Sequence, residues 1–246
     1  MSTEITLYQH SQTLAFLLFS TKFLSMDTSN LRRQIQRAKM LEHQNGLLAA
    51  QLQLKAPLLH RAIRITEGNA IPVLLNFVVH YTEHVAEFVD VLSTIGVNAN
   101  CCEYTEAVVN SCISAFDQTP FLLNRENELT RLMAQAYIAH RVIEEVNEHF
   151  SQQCNEPLIP MDMTRSNLII HQLIGEPQAN QLDLVAQDIA EQLERDYLRL
   201  DSGIFDQNAS REIAWGIEVT HWPCLTDTLA VDLLLGQGSS NATCIH

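Results

Sequence analysis

Two segments of the sequence combine histidine with glutamate at helical spacing. The segment FVVHYTEHVAEF, residues 77–88, holds His80, Glu83, His84 and Glu87. A helix advances about 100° per residue, so His80, His84 and Glu87 fall within about 60° of one another, and Glu83 lies outside their row. Imidazole and carboxylate groups from helices are suitable ligands for iron, manganese or zinc. The row therefore predicts one wall of a metal site.

A second segment, AHRVIEEVNEHF at residues 139–150, predicts the opposite wall. His140 and Glu144 are one helical turn apart, whereas His149 lies about half a turn away from His140 and cannot join the same site. The alternative is that both rows are polar stripes beside an apolar core, partly covered by neighbouring helices. The predicted metal ligands are His80, His84, Glu87, His140 and Glu144.

A third group of residues could bind an anion. His60, Arg61 and Arg64 lie close together in the segment APLLHRAIRITEGN, and arginine side chains bind small anions well. The alternative is a structural, hydrogen-bonded histidine. No nucleophile, base and orienting acid can be grouped in the sequence, so catalytic residues stay unassigned and the question of enzyme activity stays open.

The composition favours helices as the elements that position these residues. Only 8 of the 246 residues are Gly and 7 are Pro, while 46% are hydrophobic, which suits long helices around a full core. We predict an all-α fold, a single compact bundle of about eight to ten helices with no sheet. It forms one domain at 1–235, followed by a disordered tail at 236–246. The predicted helices include 5–24, 58–65, 72–95, 124–150, 211–219 and 226–235.

Charge is unevenly distributed along the chain. Residues 1–64 hold eight basic and three acidic side chains, which gives +5, whereas the whole chain carries −14 and the remainder therefore −19. We expect the basic N-terminal helices, 5–64, to pack on the acidic body, 69–235. The acidic body argues against nucleic-acid binding, because it would repel phosphate. Alternatively, the basic residues of 31–55 form a face that binds an acidic protein partner.

The polar start of the chain, MSTEITLYQH, predicts no signal peptide. The six cysteines are then expected as reduced thiols in the cytoplasm, and no apolar run approaches the roughly 20 residues that span a bilayer. We predict a helical protein that binds or regulates a partner, with its oligomeric state open. The alternative is a helix-bundle metalloprotein or oxidoreductase with iron, manganese or zinc between helices 72–95 and 124–150.

Overall fold

A computed structural model describes residues 28–65, 68–98, 102–118, 127–154, 157–198 and 229–233. Within these ranges the chain is mostly helical, as predicted. The predicted helices at 5–24 and 211–219 and the predicted tail at 236–246 lie outside the described residues, and the single domain at 1–235 stays a prediction. The described helices are α1 (Ser29–Asn45), α2 (Leu47–Lys55), α3 (Ala70–Asn98), α4 (Cys102–Gln118), α5 (Glu128–Cys154), α6 (Thr164–Ile174) and α7 (Glu176–Leu193).

Helix α5 is the centre of the fold. It packs against α1, α3, α4, α6 and α7, and every residue from 132 to 140 is buried. Its neighbour α3 buries large rings on the shared face, among them Phe77, Tyr81 and Phe88. The predicted long helices at 72–95 and 124–150 are present as α3 and α5, the second of them from Glu128 onward. None of the described helices is both long enough and apolar enough to cross a membrane.

A glutamate side chain caps the start of α2 at the bend between α1 and α2. Gly46 ends α1 in the left-handed conformation, with φ at 62°, which glycine adopts without steric cost. The chain then restarts as α2, whose first backbone N–H groups have no partner within the helix. The buried Glu42 carboxylate accepts hydrogen bonds from the N–H of Leu48 and of Ala49, both at 2.8 Å. The bend between the two helices is thus held by a side chain from the preceding helix.

A small antiparallel sheet corrects two of the predicted elements. Strand β1 (Ile63–Ile65) pairs with β2 (Val231–Leu233), so that Ile63 lies opposite Leu233 and Ile65 opposite Val231. The prediction of no sheet is therefore wrong. The predicted helices at 58–65 and 226–235 are also wrong at the residues that form the two strands, although a turn of 3-10 helix does form at Ala56–Leu58. Residues 63–65 alternate β-branched and charged side chains, which suits a half-buried strand. Seven α-helices lie in the described residues, which only roughly fits the predicted eight to ten.

Replacement of Glu42 by alanine should lower the free energy of unfolding by about 1–2 kcal/mol, because two N–H groups at the start of α2 lose their acceptor. Urea unfolding followed by circular dichroism measures the change. Glu87→Ala is the matched control, since Glu87 is an exposed glutamate on α3. Equal unfolding midpoints for the two variants would contradict the capping role.

Candidate functional site

Two of the predicted site residues meet in the core. His84 on α3 and His140 on α5 are both buried, and His84 Nδ1 lies 3.1 Å from His140 Nε2. Their rings stack with centroids 5.4 Å apart. The two helices predicted to form opposite walls therefore face each other at these two histidines.

The hydrogen bonds assign a proton to each ring. His140 Nδ1 lies 2.9 Å from the carbonyl oxygen of Ala136, and a carbonyl only accepts, so this nitrogen carries the proton and donates. His140 Nε2 then has a lone pair, and His84 Nδ1–H donates to it. The pair is thus satisfied when both rings are neutral, each with its proton on Nδ1.

Burial keeps both histidines neutral. The rings of Tyr81 and Phe88 have centroids 4.3 Å and 5.3 Å from that of His140. Removal from water lowers the pKa of His84 from 6.5 to about 4. Burial, and then the proximity of His84, lower the pKa of His140 well below its usual value, although its hydrogen bond to Ala136 acts in the opposite direction. Both rings are therefore uncharged at neutral pH.

The structure places His80 and Glu87 away from this pair. His80 is half-exposed, and its Nδ1 lies 3.7 Å from Glu83 Oε2. Lys39 of α1 donates to the other oxygen of Glu83 at 2.6 Å. Glu87 is exposed. Of the two glutamates of this segment, the one set outside the predicted row, Glu83, is the one that lies beside His80.

Glu144 is bound to an arginine that the sequence analysis did not single out. Arg141 donates to Glu144, to Glu145 at 2.8 Å and to Asp183 of α7 at 3.1 Å. Burial alone would lower the pKa of Arg141, but the hydrogen bond and charge of Glu144 outweigh it and raise the pKa. The spacing of three and four residues from Arg141 to the two glutamates would have predicted these bonds. They compete with any metal for the Glu144 carboxylate.

Further polar groups lie in and beside the core, and one of them, Tyr81, contacts His140. Tyr81 donates to Asn167 Oδ1 of α6 at 2.6 Å, and burial raises its pKa well above the usual value. Tyr137 donates to Asp183 at 2.7 Å. In the described part of the chain, Asn167 Nδ2 and Ser166 Oγ are buried without a hydrogen-bond partner. Sequence patterns gave no signal for Asn167 or Asp183, because these contacts join residues distant in the chain.

The contacts described above show where each predicted metal ligand lies. Within the described ranges, no group of three or more His, Cys, Asp or Glu side chains is placed to hold a metal ion. The five predicted ligands are divided among the histidine pair, the Glu83 contact, the Arg141 cluster and solvent. The assignment of a metal to them stays a prediction.

The predicted anion site lies on the surface. His60, Arg61 and Arg64 are all exposed, and His60 Nδ1 accepts a hydrogen bond from the backbone N–H of Ala62 at 3.2 Å. Arg64 lies in β1 opposite Asp232. Among the described residues, no hydrogen bond or ion pair joins the three side chains, so the anion site also stays a prediction.

Helices α1 and α2 carry a surface that is both basic and apolar. Of the seven large apolar side chains exposed among the described residues, four come from residues 40–58: Met40, Leu47, Leu54 and Leu58. Leu54 is 76% exposed and Leu58 81%. At about 100° per residue, Leu47 and Leu54 fall within about 20° of each other on α2, and Leu58 follows in the 3-10 turn after the helix. We call these three leucines the α2 ridge.

Comparison of the chain with protein-family models, with curated proteins and with solved structures found no match.

The buried histidine pair predicts a loss of stability in acid. The unfolded chain protonates its histidines near pH 6.5, whereas folded His84 takes a proton only near pH 4. Since the unfolded state binds more protons in this window, the free energy of unfolding should fall between pH 6.5 and 4. The expected slope is about 1 kcal/mol per pH unit for each histidine. Urea unfolding at several pH values measures it.

The control for this measurement replaces both rings, because a single replacement would leave an unsatisfied nitrogen. His84→Phe with His140→Leu should flatten the slope, whatever its effect on stability at pH 7. His43→Asn removes an exposed histidine of α1 and should leave the slope unchanged. A double variant with the wild-type slope would contradict the assignment.

Proposed function

We propose that the protein acts by binding an acidic protein partner through the outward surface of α1 and α2. The observation that carries the proposal is the exposure of the α2 ridge on a part of the chain where the charges are almost all basic. Exposed apolar groups that form a contiguous patch commonly mark interaction sites. Single exposed leucines elsewhere would need no explanation.

The charges of α1 and α2 support an acidic partner. Residues 28–65 hold seven basic side chains and one acidic side chain, Glu42, and that carboxylate is buried under the start of α2. Three of the basic groups turn to the body: Arg32 lies 2.7 Å from Asp90, Lys39 2.6 Å from Glu83 and Arg37 3.6 Å from Glu128.

Lys55 donates to the carbonyl oxygen of Ile174, and the other three basic groups of this segment are available to a partner. Arg33, Arg61 and Arg64 are exposed, and none of them has an ion pair with another described residue. Arg37 keeps 71% of its side chain exposed despite its contact with Glu128. Opposite charges on a partner would speed association and set its orientation. A second copy of this acidic chain could bind the surface only through one of its own acidic regions.

A photoreactive amino acid in place of Leu54 should form a crosslink to one heterologous protein in cells that produce the full chain. Leu54 lies on the α2 ridge, and its side chain would be covered by the partner. The same substitution at Leu184 is the matched control, because Leu184 is a 63% exposed leucine on α7. Mass spectrometry then identifies the adduct.

The proposal requires an adduct at position 54 that is absent at position 184, and a crosslinked protein segment with excess Asp and Glu. An adduct with residues 1–27 of the same chain, with a second copy or with lipid would overturn it, and so would the absence of any adduct. Arg33→Glu with Arg37→Glu should weaken the crosslink by about tenfold if the charges contribute.

A helix-bundle metalloprotein or oxidoreductase is the second candidate. The contact of His84 with His140 favours it, because neutral imidazoles from two facing helices are suitable ligands for iron, manganese or zinc. The backbone hydrogen bond at His140 Nδ1 also resembles the support that metal-bound histidines receive. The ion pairs of Glu144 with Arg141 count against it.

Metal analysis of the purified full chain tests this second candidate. A stoichiometric metal that is lost in His84→Ala and in His140→Ala, and retained in His43→Ala, would establish a metal site at the pair. Since the described residues hold only two converging ligands, we expect substoichiometric iron, manganese and zinc in all four proteins.

A further inference from the structure

A narrow cleft lies beside the α2 ridge, between α2, α5 and the junction of α6 with α7. Its volume is about 190 Å³. Leu54 connects the ridge with the cleft, since its side chain belongs to both. The apolar walls are Leu54, Met133, Ala134 and Ile174, and Gln51 and Gln178 add amide groups to the lining.

Several polar groups of the cleft are engaged with the protein itself. Gln51 Oε1 accepts a hydrogen bond from Thr130 Oγ1 at 2.8 Å. Lys55 Nζ donates to the carbonyl oxygen of Ile174 at 2.9 Å, which satisfies a carbonyl at the end of α6. These bonds join α2 to α5 and α6 and hold the walls in place. An occupant would gain mainly from apolar contact.

The size of the cleft selects its occupant. Binding sites for free small molecules have volumes of about 300–1,000 Å³, and this cleft is smaller. It suits one apolar side chain carried by a larger molecule. Such buried anchors commonly dominate the energy of a protein interface.

We propose that the partner of α1 and α2 presents an acidic amphipathic helix, and that one apolar side chain of this helix fills the cleft. This inference rests on the function proposed above. Leu47 and Leu54 of the α2 ridge lie two turns apart, about 10 Å along the helix at 1.5 Å per residue, and Leu58 continues the ridge in the 3-10 turn. Exposed apolar side chains two turns apart on one helix face suit packing against a second helix.

The charges specify the polar face of that helix. Glu42, the one acidic side chain of residues 28–65, is buried, so the exposed ionisable groups of this segment are basic or histidine. Carboxylates on the partner helix would meet them without like-charge repulsion. A basic and apolar surface is also attracted to anionic lipid, but a bilayer has no side chain to insert into the cleft. The experiment separates the two.

The test fills the cleft in the full chain that carries the photoreactive residue at position 54. Gln178→Phe places a ring in the cleft and should reduce the yield of the partner adduct about tenfold, as the loss of a buried anchor does. Gln181→Phe is the matched control: Gln181 is exposed on the same helix, α7, and does not line the cleft. Its yield should stay within about twofold of the parent chain.

The photoreactive residue is placed at 47, 54 and 58 in turn. Mass spectrometry of the adduct fragments then maps the crosslinked positions on the partner. The three crosslinked positions should lie on one face of a single helical segment rich in Asp and Glu. Circular dichroism confirms that each variant is folded. If Gln178→Phe unfolds the chain, Gln178→Glu with Gln181→Glu as its control replaces the pair, because a carboxylate at the cleft opposes both an apolar anchor and an acidic helix.

Each result separates this inference from the proposed function. Equal adduct yields for the variants at 178 and 181 would overturn the cleft anchor and leave the proposed function standing. Crosslinks scattered over several segments, or in a basic segment, would overturn the acidic helix. The absence of any protein adduct would overturn both proposals. Binding of the wild-type chain to phosphatidylserine vesicles without a protein adduct would assign the surface to a membrane.

Discussion

The burial of His140 in the middle of α5 is the constraint on which the arrangement of the helices depends. An imidazole with no exposed surface cannot remain charged, and each of its nitrogens needs a partner inside the protein. One partner is the Ala136 carbonyl of the same helix, and the other is His84 of α3. The hydrogen bond between the two rings specifies the register of α3 on α5. Apolar packing alone tolerates a shift of α3 along α5 more readily than a buried hydrogen-bonded pair does.

The attachment of α1 and α2 to the body has a different physical basis. Exposed ion pairs such as Arg32 with Asp90 contribute little free energy, so the buried side chains, among them Ile35 and Leu52, provide most of the stabilisation. The buried side chains at 31, 35 and 38 lie on one face of α1, which turns inward, and the ion pairs lie at its edges. The result is an outward surface with basic groups and exposed leucines, because the acidic residues that could neutralise it lie on the body beneath.

The polar residues of the protein thus fall into two classes. Those of the core, such as Tyr81 with Asn167, are bonded to one another and unite α3, α5 and α6. A second class on α1, such as the exposed Arg33, faces outward beside apolar side chains. A partner surface fits the second class, and the predicted metal site would have to draw on the first, where Arg141 already holds Glu144.

The sequence by itself determined the helical class, the bounds of the two long helices to within a few residues and the position of histidines beside the apolar face of each, because these depend on a period of 3.6 residues within one segment. It also located the basic charge. Only the tertiary structure decided that His84 meets His140 while His80 and Glu87 do not, since this depends on how far α3 is shifted and rotated against α5. The strand at Ile63–Ile65 likewise required Val231–Leu233, distant in the chain, to complete its hydrogen bonds. Local periodicity carries no information about such partners, because pairing across the fold is a property of two segments together.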